Sequence, residues 1–66
     1  MDELPADTRL LTPLEAARRL RVQKQTLAVW RHRDLGPAYV RCGRSIRYTP
    51  EAIAQYVERR TITPGV

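Results

Sequence analysis

The chain has 66 residues, a mass of 7.6 kDa and a formal net charge of +5, with twelve Lys and Arg against seven Asp and Glu. This length permits one domain with a thin core, which disfavours an enzyme with a deep, water-excluding cleft. A single cysteine excludes an internal disulfide and a multi-cysteine zinc site, and no apolar run approaches the roughly 20 residues of a membrane span.

The chain divides into three parts. We expect residues 1–9 to form a flexible acidic N-terminus, residues 10–60 to form the folded domain and residues 61–66 to form a tail. Leu10 and Leu11 fit either a brief extended stretch or a hydrophobic staple onto the first helix. The N-terminus lacks an apolar signal core, so we expect a soluble, cytoplasmic protein with no membrane contact.

The sequence Thr12-Pro13-Leu14-Glu15 predicts the start of a first helix. Thr12 can cap the helix, Pro13 suits the first helical position, and Glu15 can reach back to the backbone N–H of the cap residue. Apolar residues then follow at helical spacing, namely Leu14, Ala17 and Leu20, with Ala16 beside them. The helix is expected to end near Arg21.

A second helix is predicted from Lys24 to about Arg33, although Gln23 before it is a poor capping residue. Leu27 and Trp30 lie three residues apart and form its apolar stripe. At 100° per residue, the opposite face carries Gln25, Ala28, Val29 and His32. The joint between the two helices is only about three residues long, which forces a sharp crossing and is typical of a helix-turn-helix.

Residues 39–42 and 46–48 alternate in polarity, which predicts two short strands joined by a hairpin turn. Gly43 can supply the positive φ that such a turn needs. Thr49-Pro50-Glu51 repeats the cap, proline and acid pattern and predicts a third helix. The expected fold is therefore a small, mainly α winged helix-turn-helix with a two-stranded β-hairpin as its wing.

The expected core collects the inward-facing apolar residues of these elements. They are Leu14, Ala17, Leu20, Val22, Leu27, Trp30, Val40, Ile46, Tyr48, Ile53, Tyr56 and Val57.

Charge is segregated along the chain. Residues 1–17 have a net charge of −3, residues 18–47 have nine cations against one anion, and residues 48–66 are neutral. A run of charge is commonly a solvated surface, but this one coincides with the predicted second helix and hairpin. A middle segment of +8 attracts polyanions, so nucleic-acid binding is favoured.

The combined motifs resemble the excisionase and MerR-like winged helix-turn-helix family over about residues 10–60. The matching segments are 11–17, 20–22, Thr26-Leu27-x-x-Trp30 and 40–53. The resemblance implies that the second helix enters the major groove of double-stranded DNA. It also implies that the hairpin touches the adjacent minor groove or its phosphates.

The resemblance assigns the DNA contacts residue by residue. The major-groove set is Lys24, Gln25, Ala28, Val29 and His32, most of which the helical spacing also places on one face. The wing set is Arg41, Gly43, Arg44, Ser45 and Arg47. Thr26 and Arg33 are expected at the edge of the interface, while Arg18 and Arg19 either flank the DNA backbone or only solubilise the first helix.

Individual residues carry alternative interpretations. Gln25 is the best base-reading residue because its amide can bond adenine at two atoms, and its alternative is an ordinary exposed side chain. His32 has no second histidine to share a metal, and Cys42 has no base beside it in sequence. We therefore expect no enzyme activity, no catalytic or metal site and no cofactor.

The chain departs from the family pattern in three places. Gln23 stands where Ser is usual at the helix cap. Ala28 and Val29 replace long, often basic residues, which weakens readout by hydrogen bonds and leaves apolar contact, for example with thymine methyl groups. No long dimerisation helix follows the third helix, so we expect a monomer in free solution, and only residues 61–66 are left for a C-terminal arm that contacts integrase.

Three functions fit these observations. The resemblance favours an excisionase, which binds attachment-site DNA cooperatively through neighbouring copies, bends it and directs a phage integrase toward prophage excision. A small transcriptional regulator of the same fold, acting at a promoter, fits the same residues. A protein-interaction module of antitoxin type fits the basic surface and predicts weak, sequence-blind DNA binding.

Overall fold

Three helices and one β-hairpin follow one another along residues 10–65, the part of the chain that the computed structural model describes. The expected flexible segment 1–9 and the last residue of the tail lie outside the described residues. The elements are α1 (Pro13–Leu20), α2 (Lys24–His32), β1 (Val40–Cys42), β2 (Ser45–Arg47) and α3 (Pro50–Arg60). This order confirms the predicted winged helix-turn-helix.

Helix α1 begins with the predicted capping box. Thr12 Oγ1 accepts a hydrogen bond from the Glu15 backbone N–H at 3.1 Å, and Glu15 Oε1 accepts one from the Thr12 N–H at 2.9 Å. The helix ends where Arg21 takes a left-handed conformation, with φ of 58°. The Val22 N–H then bonds to the Ala17 carbonyl at 3.0 Å, which closes the helix end and turns the chain sharply toward α2.

Helix α2 has a weakly specified start and a well-closed end. Within the described chain, Gln23 supplies no side-chain cap, as its chemistry predicts. At the other end Asp34 is left-handed, with φ of 58°, and the Leu35 N–H bonds to the Trp30 carbonyl at 2.7 Å. This bonding pattern ends the helix, and the chain then continues toward the hairpin.

The hairpin pairs its two strands in antiparallel register, with Val40 opposite Arg47 and Arg41 opposite Ile46. Gly43 has the predicted positive φ, 61°, at the first position of the two-residue turn, which is the pattern of a type II′ turn. Beyond the strands, Leu11 and Tyr48 exchange two backbone hydrogen bonds of 2.7 and 2.8 Å. The extended-stretch interpretation of Leu11 is therefore confirmed.

Helix α3 starts as predicted, with Thr49 Oγ1 accepting a hydrogen bond from the Ala52 N–H at 3.0 Å. Pro50 occupies its first turn, where a missing N–H costs nothing. Ile53 is the buried residue of this helix, and Tyr56 is half-buried against the Trp30 ring, 5.6 Å away between centroids.

The core is small and is built mainly from one residue of each segment. Its buried members are Leu11, Ala16, Ala17, Leu27, Tyr48 and Ile53. Four half-buried residues pack against them, namely Leu20, Val22, Trp30 and Ile46. Most of the predicted core is confirmed, whereas Leu11 and Ala16 are buried residues that the predicted set omits.

Three core predictions are wrong. Leu14, Val40 and Val57 are 44%, 41% and 48% exposed. Leu14 lies about 110° from the centre of the α1 stripe when that stripe is drawn through its buried residues, whereas Val57 lies about 70° from the midpoint between Ile53 and Tyr56 on α3. Val40 pairs with Arg47 on the hairpin face opposite to Ile46, because side chains alternate along a strand.

Gly36 permits the close approach of the loop to Trp30. Its φ is 85°, and a Cβ at this position would stand 2.8 Å from Trp30 Cε3 and 3.0 Å from Trp30 Cβ. Gly43 has a similar φ of 61°, but a Cβ there would meet no atom within 4 Å. An alanine at Gly43 would therefore cause backbone strain alone, whereas an alanine at Gly36 would cause backbone strain and a steric clash.

We expect Gly36→Ala to lower the free energy of unfolding by about 2–4 kcal/mol, from left-handed strain plus overpacking. Gly43→Ala is the matched control and should lose only about 1–2 kcal/mol, because strain alone applies. Urea denaturation followed by circular dichroism measures both. Equal losses in the two variants would show that the loop does not pack on Trp30 in solution.

Candidate nucleic-acid interface

The outward face of α2 carries four of the predicted major-groove residues. Gln25, Ala28, Val29 and His32 are all exposed, and we name them the recognition face. Together with Arg33 they line a shallow depression of about 510 Å³. A second depression of about 530 Å³ lies on the other side of Gln25 and Ala28 and extends to Lys24 and Pro13. The helix thus presents a continuous outward surface.

The core sets the rotation of α2 about its axis. Leu27 is fully buried, and Trp30 is half-buried between the core and Tyr56. Both residues point away from the recognition face because of their helical spacing. Thr26, predicted at the interface edge, is half-buried, whereas Lys24 and Arg33 are exposed.

Arg31 is an important residue that the sequence analysis missed. Its Nη1 donates a hydrogen bond of 2.9 Å to the hydroxyl of the buried Tyr48. Its guanidinium carbon also lies 6.0 Å from the Tyr39 ring centroid, and the Tyr39 and Tyr48 rings are 6.1 Å apart. This cation therefore ties α2 to the residues at the base of the hairpin. Its two tyrosine contacts are distant in sequence, so the spacing of residues within α2 gave no signal for them.

The wing divides its predicted contacts into two groups. Arg41, Gly43 and Arg44 are exposed, with Arg44 in the turn itself. Ser45 and Arg47 are half-buried, and Arg47 Nη1 donates a hydrogen bond of 2.8 Å to the Ile46 carbonyl. The turned-back guanidinium of Arg47 leaves Arg41 and Arg44 as the better-placed cations of the wing.

The electrostatics around the recognition face favour an anion. The first turn of α2 contains no acidic residue, so the positive end of the helix dipole is not offset there by side-chain charge. Arg18 and Arg19 are exposed in the last turn of α1. These exposed cations, together with those of the wing, attract a polyphosphate backbone.

Residues 10–65 contain no cluster of three or more His, Cys, Asp or Glu that could hold a metal ion. No helix in this range is long and apolar enough to cross a membrane. Cys42 is exposed on the hairpin. What the arrangement can do is insert a helix about 10–12 Å wide into a major groove of similar width.

A helix-turn-helix domain family matches the sequence over residues 10–61. The chain belongs to this helix-turn-helix family. Family membership supports DNA binding and agrees with the exposed face of α2 and the basic wing. No curated protein and no solved structure matches the chain significantly.

Tyr48→Phe should lower the free energy of unfolding by about 1–2 kcal/mol, because the half-buried Arg31 guanidinium loses its phenolic acceptor. Tyr56→Phe is the control, since the Tyr56 hydroxyl makes no hydrogen bond within residues 10–65, and it should change stability by less than about 0.5 kcal/mol. Thermal and urea denaturation measure both variants. An unchanged free energy of unfolding in Tyr48→Phe would show that the Arg31 hydrogen bond does not stabilise the packing of α2 on the hairpin.

Proposed function

We propose that this protein is an excisionase-type DNA-binding factor. It binds repeated sites in attachment-site DNA through α2 and the wing, bends the DNA and directs a phage integrase toward prophage excision. The observation that carries the proposal is the pairing of the exposed recognition face with the exposed cations Arg41 and Arg44. The likeness of the motifs to excisionases supplies the specific role.

The small interface explains why such a protein would act in several copies. The recognition face offers two polar and two apolar side chains, so one copy makes few hydrogen bonds to bases. Few base contacts give modest specificity, and adjacent copies that assist one another restore it. Neighbouring copies on DNA and an integrase are the proposed partners, with a monomer in free solution.

Charge supplies a possible attraction between adjacent copies. Residues 1–17 have a net charge of −3 and residues 18–47 a net charge of +8. An acidic N-terminal segment of one copy can therefore neutralise part of the basic segment of the next. Such an attraction would weaken as salt rises, in parallel with DNA binding.

Gel-shift titration tests the proposal directly. The pure protein is titrated against attachment-site DNA from its own genome and against a scrambled duplex of equal length, at two salt concentrations. Successive cooperative bands on the attachment-site duplex alone support an excisionase. Weak binding that is equal on both duplexes and disappears with salt would contradict it and favour a protein-interaction module.

A recombination assay separates the excisionase from a promoter regulator. Integrase and the two prophage-end attachment sites are incubated with and without the protein. The excisionase proposal predicts that excised product appears only when the protein is present. Site-specific binding with no effect on recombination would contradict the excisionase role and favour a transcriptional regulator.

Arg44→Ala should weaken binding to every DNA sequence and reduce the slope of log affinity against log salt by about 0.9, because one phosphate contact is lost. Arg59→Ala on α3 removes a cation that is also exposed but lies outside the proposed interface, and it serves as the control. Affinity is measured by fluorescence anisotropy at several salt concentrations. Identical slopes for wild type and Arg44→Ala would remove Arg44 from the interface.

Gln25→Ala should lower affinity by about 1–3 kcal/mol at one base pair and relax the sequence preference there, because a bidentate contact to adenine is lost. The measurement compares specific and random duplexes at one salt concentration. Equal losses on the two duplexes would rule out a base contact by Gln25.

A further inference from the structure

We propose that Ala28 and Val29 read thymine methyl groups, so that the specific DNA site carries thymine at the centre of the segment that α2 contacts. This inference rests on the proposed DNA-binding function and adds the identity of the bases. It assigns specificity to the two residues of the recognition face that form no side-chain hydrogen bonds.

The first observation is the exposure of an apolar pair at the middle of α2. Val29 is 47% exposed and Ala28 is also exposed, while the core of this helix is supplied by Leu27 and Trp30. Neither residue is therefore needed to hold the fold. Both lie in the shallow depression bounded by Gln25 and His32, where the short Ala28 side chain leaves room for a group to approach.

The chemistry of the major-groove edge indicates which group such an apolar pair can recognise. The C5-methyl group of thymine is the apolar feature of the major-groove edge, and the other edge groups are hydrogen-bond donors or acceptors. An aliphatic side chain pressed against a donor or acceptor removes its water without replacing the hydrogen bond, which is unfavourable. Against a methyl group the same side chain gains apolar burial.

The spacing along α2 sets the pattern of bases. The span from Gln25 to His32 is seven residues, or about 10.5 Å at the helical rise. This length corresponds to about three steps of 3.4 Å along a DNA strand. The polar ends of the recognition face therefore flank its apolar centre within about four base pairs. The expected site has adenine at the Gln25 end and thymine next to it.

Single-atom changes in the DNA test this inference. A specific site is first selected from a random duplex pool by repeated gel shift with the full chain. Each thymine of that site is then replaced, one at a time, by deoxyuridine, which lacks only the C5-methyl group. We expect one or two positions to lose about three- to tenfold in affinity, as the burial of one methyl group predicts, and the others to be unchanged.

A variant of the protein connects the effect to α2. Val29→Ser removes both methyl groups and leaves a hydroxyl at an exposed position, so thermal melting should stay close to wild type. In this variant the sensitive uracil positions should lose less than twofold. Val57→Ser on α3 is the matched control, because Val57 is 48% exposed and Val29 is 47% exposed, and it should retain the full wild-type discrimination.

The outcomes separate this inference from the function on which it rests. A selected site that tolerates deoxyuridine at every thymine would overturn methyl readout and leave site-specific DNA binding intact. Uracil sensitivity that persists unchanged in Val29→Ser would overturn the assignment of methyl readout to Val29. A pool that yields no preferred site would overturn the proposed function, and the present inference with it.

Discussion

Tyr48 is the residue on which the arrangement of the molecule depends. It is fully buried, its backbone exchanges two hydrogen bonds with Leu11, and its hydroxyl accepts one from Arg31. The side chain and backbone of this one residue thus join the start of the domain, the last turn of α2 and the end of the hairpin. Because a buried phenol needs a partner, the Arg31 bond also favours one orientation of α2 relative to the wing.

Two arginines are bonded within the fold, and two are exposed on the wing. Arg31 is half-buried against tyrosines, and Arg47 is turned back onto the carbonyl of Ile46. Arg41 and Arg44 are exposed on the wing. Net charge measures the total attraction to a polyanion, but only burial and hydrogen bonding distinguish the cations that hold the fold from those that are available to DNA.

Local chemistry explains which parts of the fold the sequence predicts well. The starts of α1 and α3 follow from Thr12, Pro13 and Thr49, and the hairpin turn follows from Gly43. Each of these residues acts through its own backbone or on near neighbours in the chain. The recognition face was also predictable, since helical spacing places its residues together and the buried Leu27 identifies the opposite side.

Tertiary contacts explain what the sequence did not predict. Leu14 and Val57 lie outside the buried stripes of α1 and α3. The rotation of a short helix about its axis is decided by packing against other elements. Val40 fell on the outer hairpin face because its register with Arg47 depends on the turn. The contacts of Arg31 with tyrosines 8 and 17 residues away in sequence are non-local, so spacing within α2 could not reveal them.

We propose that α2 and the wing form one DNA-binding surface and that α3 lies outside it. NMR titration of the labelled protein with a DNA duplex tests this most directly, because every backbone amide reports on its own surroundings. We predict that the largest shift changes fall in residues 24–33 and 41–47, with small changes along α3. Changes concentrated on residues 50–60, with α2 unaffected, would contradict the account.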